Sequence, residues 1–216
     1  MINIPIHETD QSVVVRYIQE EDLPKIADLS QKCFGSSMSL KLEHLKSQLE
    51  IFPEGQICVE YQGQIVGSAS SLIVNFSDYG YDHDYEEISD EGFIRNHNAS
   101  GVNLYGIEVG VDPQFRGMKI GRHLYNGRKQ VCKDLNLQSI IIGGRIPHYY
   151  RYADKMTADE YAFKVIKGEI YDPVMTFQVK NGFVLNQVIP NYLAGDDESL
   201  QYATSMEWIN DDYKKQ

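Results

Sequence analysis

Arg116, Gly117, Lys119, Gly121 and Arg122 crowd together just after an apolar run that ends at Pro113. They stand at the head of an amphipathic stretch, and that placement suits the binding of a phosphate. The first turn of a helix leaves backbone N–H groups unpaired, and the helix dipole adds partial positive charge there. Glycines let an anion approach the backbone, while Arg and Lys add full charges. A simpler reading has Gly117 and Gly121 serve only close helix–strand packing. The Pro-terminated run and the three cations favour the anion. Neither a P-loop nor a Gly-x-Gly-x-x-Gly dinucleotide fingerprint is present. A second candidate is Glu108, set between Ile107 and Val109. Buried there, its carboxyl would titrate upward through desolvation and suit proton abstraction near neutrality. The alternative is a structural carboxylate bonded to nearby backbone or tyrosines. His83, His97, His123 and His148 are further titratable candidates, each more simply read as surface or core.

These residues need elements to hold them. The pattern predicts a strand over 13–18, then a helix capped by Asp22 with Pro24 in its first turn and Leu23, Ile26, Ala27 and Leu29 on one face. A second helix is expected over 39–50, ended by Pro53-Glu54-Gly55. A hairpin follows over 56–61 and 64–74 about Gln62-Gly63. Leu104 to Val111 reads as the central strand. Arg116 to about Leu135 reads as the helix behind the loop, with Ile120, Leu124, Val131 and Leu135 on its buried stripe. Ser139 to Gly143 is a continuous apolar strand fit for a sheet interior. Short helices are expected over 146–172 and 174–180, and strands over 183–190 and 204–208. The acidic, tyrosine-containing segment 75–102 is either a substrate-side lid or a structural cover.

With 216 residues, 42% hydrophobic and 11% aromatic, the chain can bury one sizeable core, and a single domain over 1–216 is expected, with 75–102 and 147–172 as insertions. The formal net charge of −11 argues against a nucleic-acid partner and permits a cationic amine, which the field would steer inward. No apolar run has the length of a membrane helix, and no secretory signal is evident. Cys33, Cys58 and Cys132 are scattered and odd in number, against disulfides and zinc and in keeping with a cytoplasmic protein.

The run from Val111 to Gly121, VDPQFRGMKIG, resembles the acetyl-CoA pyrophosphate loop of the GNAT N-acetyltransferases, roughly Val-x-Pro-x-x-Arg-Gly-x-Gly-x-Gly. Gln114, Arg116, Gly117 and Gly121 match; Lys119 stands where the family usually has Gly or Ala. VVVRYIQEEDLPKIADL is similar to the family's first strand and helix, and Asn181-Gly182-Phe183 to its Gly-Phe turn. YGIEVGVDPQFRGMKIGRHLY, IIIGGRIP and GEIYDPVMTFQVKNGF further resemble the acetyltransferase-like module of bacterial proteins that fuse it to a nitrilase-like carbon–nitrogen hydrolase. Ending at Gln216, the chain would be a free-standing relative or an N-terminal part of such a fusion.

The resemblance implies an α/β fold of the acyl-CoA N-acyltransferase type, a central mixed sheet flanked by helices. It implies acetyl-CoA held in a splay between the fourth and fifth strands. Val109 and Val111 would act along the pantetheine arm through their backbone. Arg116, Gly117, Met118, Lys119, Gly121 and Arg122 would hold the pyrophosphate, with Lys119 crowding it if positive φ is needed there. Glu108 stands where several members place a base. Many members have a proton-donating Tyr four residues before the Gly of the Gly-Phe turn, where this chain has Gln178, which cannot transfer a proton. Tyr192 resembles a Tyr of ribosomal-protein alanine acetyltransferases and is the replacement singled out; Tyr149, Tyr150 and Tyr171 are others. The implied reaction is direct transfer of acetyl from acetyl-CoA to a primary amine of a small molecule or peptide, without metal. The alternatives are a non-catalytic acyl-CoA-sensing or hydrolase-docking module, and an ATP-binding protein using the same loop. A homodimer and a hydrolase partner stay open.

Overall fold

The computed structural model describes residues 13–80 and 82–215. Seven strands, β1 (Val13–Tyr17), β2 (Ile57–Tyr61), β3 (Gln64–Val74), β4 (Asn103–Val111), β5 (Ser139–Arg145), β6 (Val184–Ile189) and β7 (Ala203–Ile209), form one sheet in the order β1-β2-β3-β4-β5-β7-β6. All neighbours are antiparallel except β4 and β5. That parallel step needs a crossover, and α4 (Ile120–Asp134) supplies it. Ile140 to Ile142 are buried between β4 and β7, as their unbroken apolar run anticipates.

One face of the sheet is covered by α4. Ile120, Leu124 and Val131 are buried there, and Gly67 on β3 admits them: a Cβ at Gly67 would lie 2.8 Å from Ile120 Cγ2. Leu135, expected on that stripe, is exposed, because α4 ends at Asp134 and Leu135 has left the helix. The helix also starts at Ile120 rather than Arg116; the residues before it form a short 3-10 turn, Pro113–Phe115, and a loop. On the same side, α5 (Ala158–Ile166) and α6 (Met175–Lys180) occupy the segment expected to hold short helices. Thr157 and Glu160 form a capping box at the start of α5.

The other face carries α1 (Leu23–Met38) and α2 (Leu42–Ile51). Asp22 does not cap α1 as expected. Its carboxylate accepts two bonds from Arg16, at 2.6 and 3.0 Å, and one from the Gln19 N–H at 2.8 Å, tying the end of β1 to the helix entry. Gly35, at φ +74°, breaks α1 within its last turns. Residues 75–80 and 82–102, containing α3 (Tyr85–Ser89), form a cover on this face. Ile88 and Ile94 are fully buried, and Gln48 and Ser47 of α2 each donate at 2.7 Å to its backbone, at Gly92 and Phe93. Tyr79, Tyr85, Ile88 and Ile94 thus extend the core beneath an acidic exterior.

Candidate active site

β4 and β5 pair only from Asn103↔Ser139 to Gly106↔Ile142, and beyond that point the two strands part. The register of β4 against β3 slips at the same level: Ser71 pairs with Gly106 but Ser70 with Glu108, so Ile107 is an extra residue. A bulge moves every later side chain to the opposite face. Gly106 faces α4, where a Cβ would lie 2.7 Å from Arg128 Nη1. Without the bulge Glu108 would face α4 too; with it, Glu108 turns to α1. The backbone beyond the bulge also has a definite direction. Asp112 N–H donates to Val66 O on β3 at 2.9 Å, so by alternation the N–H and C=O groups of Val109 and Val111 point away from β3, into the gap. The Val111 carbonyl accepts from Cys33 Sγ on α1 at 3.3 Å.

Arg128 holds the bulge. Sequence reading passed over it, although its spacing from Leu124 puts it on the buried stripe of α4. It is 2% exposed, its Nη2 donates to Ser70 O at 2.9 Å and Glu108 O at 2.8 Å, and its Nε donates to Ser71 Oγ at 3.0 Å. Desolvation lowers its pKa to about 10, still leaving a cation at neutral pH.

The loop at the mouth of the gap is arranged for an anion. Among the described residues, the backbone N–H groups of Gly117, Lys119, Ile120 and Gly121 make no backbone hydrogen bond, and Arg116, Lys119 and Arg122 are exposed and in no ion pair. Gly117 lies at φ +86° with open space where a Cβ would be; its role is conformational. Gly121 also serves packing, since a Cβ there would lie 3.1 Å from the Phe177 ring on α6. Lys119 adopts φ +62°, a left-handed conformation that glycine would take without strain. Met118 is exposed on the same loop.

Glu108 sits under α1 beside a small cleft lined by Ile26, Leu40, Ser68 and Ser70, with room for roughly one water. Ser30 Oγ on α1 donates to its Oε2 at 2.9 Å while accepting Leu40 N–H at 2.9 Å. Desolvation raises the Glu108 pKa to about 7, against the lowering pull of Ser30. Nothing in the sequence signalled Ser30, whose contact with Glu108 spans 78 positions.

Tyr192 lies on the same face as Glu108. Its ring tip rests over Gly143, the first residue of β5 past the last β4 pair, where any side chain would collide with it. It is buried, and its hydroxyl is 2.9 Å from that of Tyr105. Tyr85 packs between the two groups: burial raises its pKa, and the nearby Glu108 and Tyr192 add to the rise. Gln178 is buried on the opposite face against Gly144, where its side chain would block a Cβ, and its Oε1 has no hydrogen-bond partner among the described residues. Tyr149 is enclosed by Tyr161 and Tyr202, and Tyr150 and Tyr171 are exposed on segment 147–172, so none of the three joins Glu108. His97 stacks on Phe52 and bonds Ile73 N–H, His123 lies on α4, and His148 contacts Tyr171; of the four histidines only His83 connects to Tyr192, through Tyr105.

A model of the acetyltransferase (GNAT) family matches residues 23–150. The chain is similar to the uncharacterized N-acetyltransferase YkwB of Bacillus subtilis, 36% identical over 209 residues, covering 95% of this chain and 92% of that protein. It is also similar to the probable hydrolase YhcX of the same organism, 53% identical over 207 residues and 96% of this chain, but it spans only 40% of that protein's length. Among solved structures, the GphF GNAT-like decarboxylase in complex with isobutyryl-CoA superposes with a TM-score of 0.78 at 18% identity, covering 90% of this chain and 98% of that one, a likeness of fold. A family model over more than half of the residues, together with a relative matched along nearly its whole length, places this chain in the acetyltransferase (GNAT) family.

Proposed function

We propose that the protein is an acetyl-CoA-dependent N-acetyltransferase that moves an acetyl group directly to a primary amine of a small molecule or peptide. The observation that carries this reading is the continuity of two half-sites. Four loop N–H groups without a backbone partner among the described residues, flanked by three cations, lead straight to an edge of β4 that the parting of β5 leaves without a strand neighbour, its Val111 carbonyl held by Cys33 Sγ. The first half suits a pyrophosphate and the second an amide-bearing arm, which together describe coenzyme A. Bound there, the coenzyme supplies an activated acetyl thioester. Arg116, Lys119 and Arg122 neutralise phosphate, Gly117, Met118 and Gly121 shape the loop, and Val109 and Val111 bind the arm through their backbone.

Glu108 is the base that converts an arriving ammonium to an amine. Near pH 7 it is part ionised, which balances availability against driving force. The cysteines support direct transfer. Burial pushes the Cys33 thiol up to about 11 and those of Cys58 and Cys132 up to about 12, so none is a thiolate at neutral pH. The acidic outer face of segment 75–102, with Glu86, Glu87 and Glu91, lies on the Glu108 side and favours a cationic acceptor.

Melting temperature measured with acetyl-CoA, isobutyryl-CoA, free CoA and ATP tests the binding half of this function. A ligand at a hundredfold excess over its Kd adds about 2.7 kcal/mol, roughly 5–10 °C for a chain of this size. Saturable shifts with the CoA series and none with ATP are expected; a shift with ATP alone contradicts the site. The similarity to YhcX, of which the chain spans two fifths, favours a second reading: an acyl-CoA-sensing or hydrolase-docking module. That module would give the same shifts without turnover.

A further inference from the structure

Acetyl transfer from a thioester to an ammonium displaces two protons. Glu108 accounts for the first. The second leaves nitrogen as the C–N bond forms and must reach sulfur as the C–S bond breaks. Gln178, at the place of the family's usual donor, cannot carry it.

His83, Tyr105 and Tyr192 form an unbroken line of hydrogen bonds in the protein interior. His83 Nδ1 lies 2.8 Å from Gly80 O, its Nε2 2.8 Å from Tyr105 Oη, and Tyr105 Oη 2.9 Å from Tyr192 Oη. Their exposures are 1%, 0% and 3%, so water does not compete for these bonds. The direction of the line follows from its far end. A carbonyl only accepts, so Nδ1 carries the hydrogen, and Nε2 of the neutral ring is an acceptor. Tyr105 therefore donates to His83, and Tyr192 donates to Tyr105. The ring stays neutral because burial lowers its pKa, against the raising influence of Gly80 O and of Glu87, Asp84 and Asp82. Among the described residues, the aromatic rings packed on it are those of Phe76, Tyr105 and Tyr192, all uncharged. With its own hydrogen turned inward, Tyr192 presents a lone pair at the fork of β4 and β5, beside Gly143.

We propose that Tyr192, Tyr105 and His83 form a reversible proton shuttle that takes the proton released by the acylated nitrogen and returns it to the departing sulfur. The shuttle rests on the acetyltransferase reading above. The nitrogen lone pair forms the C–N bond and the C–S pair leaves on sulfur. The N–H proton passes to Tyr192 oxygen, the proton of Tyr192 to Tyr105, and that of Tyr105 to His83 Nε2. The same three hops run backward to give the thiol, leaving every residue as it began. The net change is one proton moved from nitrogen to sulfur. Tyr192 is the catalytic residue; Tyr105 and His83 act through it.

The test is steady-state turnover of wild type, Tyr105→Phe and His83→Asn with acetyl-CoA and an accepted amine, in mixtures of H2O and D2O. Asn keeps a donor for Gly80 O but has no acceptor at the Nε2 position. Expected is a fall in kcat on the order of 100-fold in each variant, with KM for acetyl-CoA and its thermal shift unchanged. The plot of kcat against deuterium fraction should be bowed for wild type, where several protons move together, and straight in both variants. Merely structural roles would leave the bow intact. Unchanged kcat, or a bow that survives in either folded variant, overturns the shuttle alone. A wild-type protein inactive on every amine overturns the acetyltransferase reading and the shuttle with it.

Discussion

Glu108 is a half-buried acid whose charge the fold opposes. With its pKa raised from 4.5 to about 7, the folded state holds a proton that the unfolded state releases between those values, so stability falls as pH rises through that window. The loss amounts to about 3 kcal/mol at pH above 7. Glu108→Gln should therefore melt higher than wild type at pH 8 and nearly the same at pH 4, a comparison calorimetry makes directly. Its kcat should fall on the order of 100-fold and lose the rise through pH 7. Lys119 shows the opposite compromise. Its left-handed backbone costs about 1 kcal/mol relative to glycine, while its ammonium adds charge to the loop. Lys119→Gly should gain a few degrees in melting temperature and bind acetyl-CoA several-fold more weakly, the weakening vanishing at high salt.

At the level of elements, the bulge at Ile107 decides the chemistry of β4, because it turns Glu108 from α4 to α1. Arg128 bridges its carbonyls with a guanidinium fork that Lys cannot reproduce. Arg128→Met should cost about 3 kcal/mol in urea unfolding, since two buried carbonyls and a hydroxyl lose a charged donor, and Arg128→Lys should recover little of it. Gly143→Ala should displace Tyr192 and lower kcat without altering the acetyl-CoA shift. Parts of this arrangement were legible in the sequence. The strand, loop and helix from 104 to 134 are local, and their apolar period, Pro113, the cations and Gly117 each act within a few residues. The bulge was not legible, because it exists only relative to β3. Nor was the pairing of Tyr105 with Tyr192, which lie 87 positions apart. Asp22, expected to cap α1, is drawn instead to Arg16 six residues before it, because the turn between β1 and α1 brings the guanidinium onto its carboxylate.

Across the whole molecule, charge is divided. The net charge is −11, yet the loop carries Arg116, Lys119 and Arg122, which make no ion pair among the described residues, while the acidic residues of 82–91 lie on the other face of the sheet. That division is what the proposed function draws on, with its anionic coenzyme at the loop and its cationic acceptor on the opposite face. Composition made the acidity plain, but only the folded sheet separates the two fields. The matching relatives reinforce the division of readings, since one is called an N-acetyltransferase and the other a probable hydrolase of which this chain spans 40%. The measurement that decides most directly is thiol release from acetyl-CoA by the wild-type protein across a panel of primary amines, each run with and without the amine, alongside mass analysis of the amine. Release that saturates in both substrates, needs the amine and adds one acetyl group to it is the predicted result. Acetyl-CoA that stabilises the fold but is left intact with every amine would contradict catalysis and leave a sensing module.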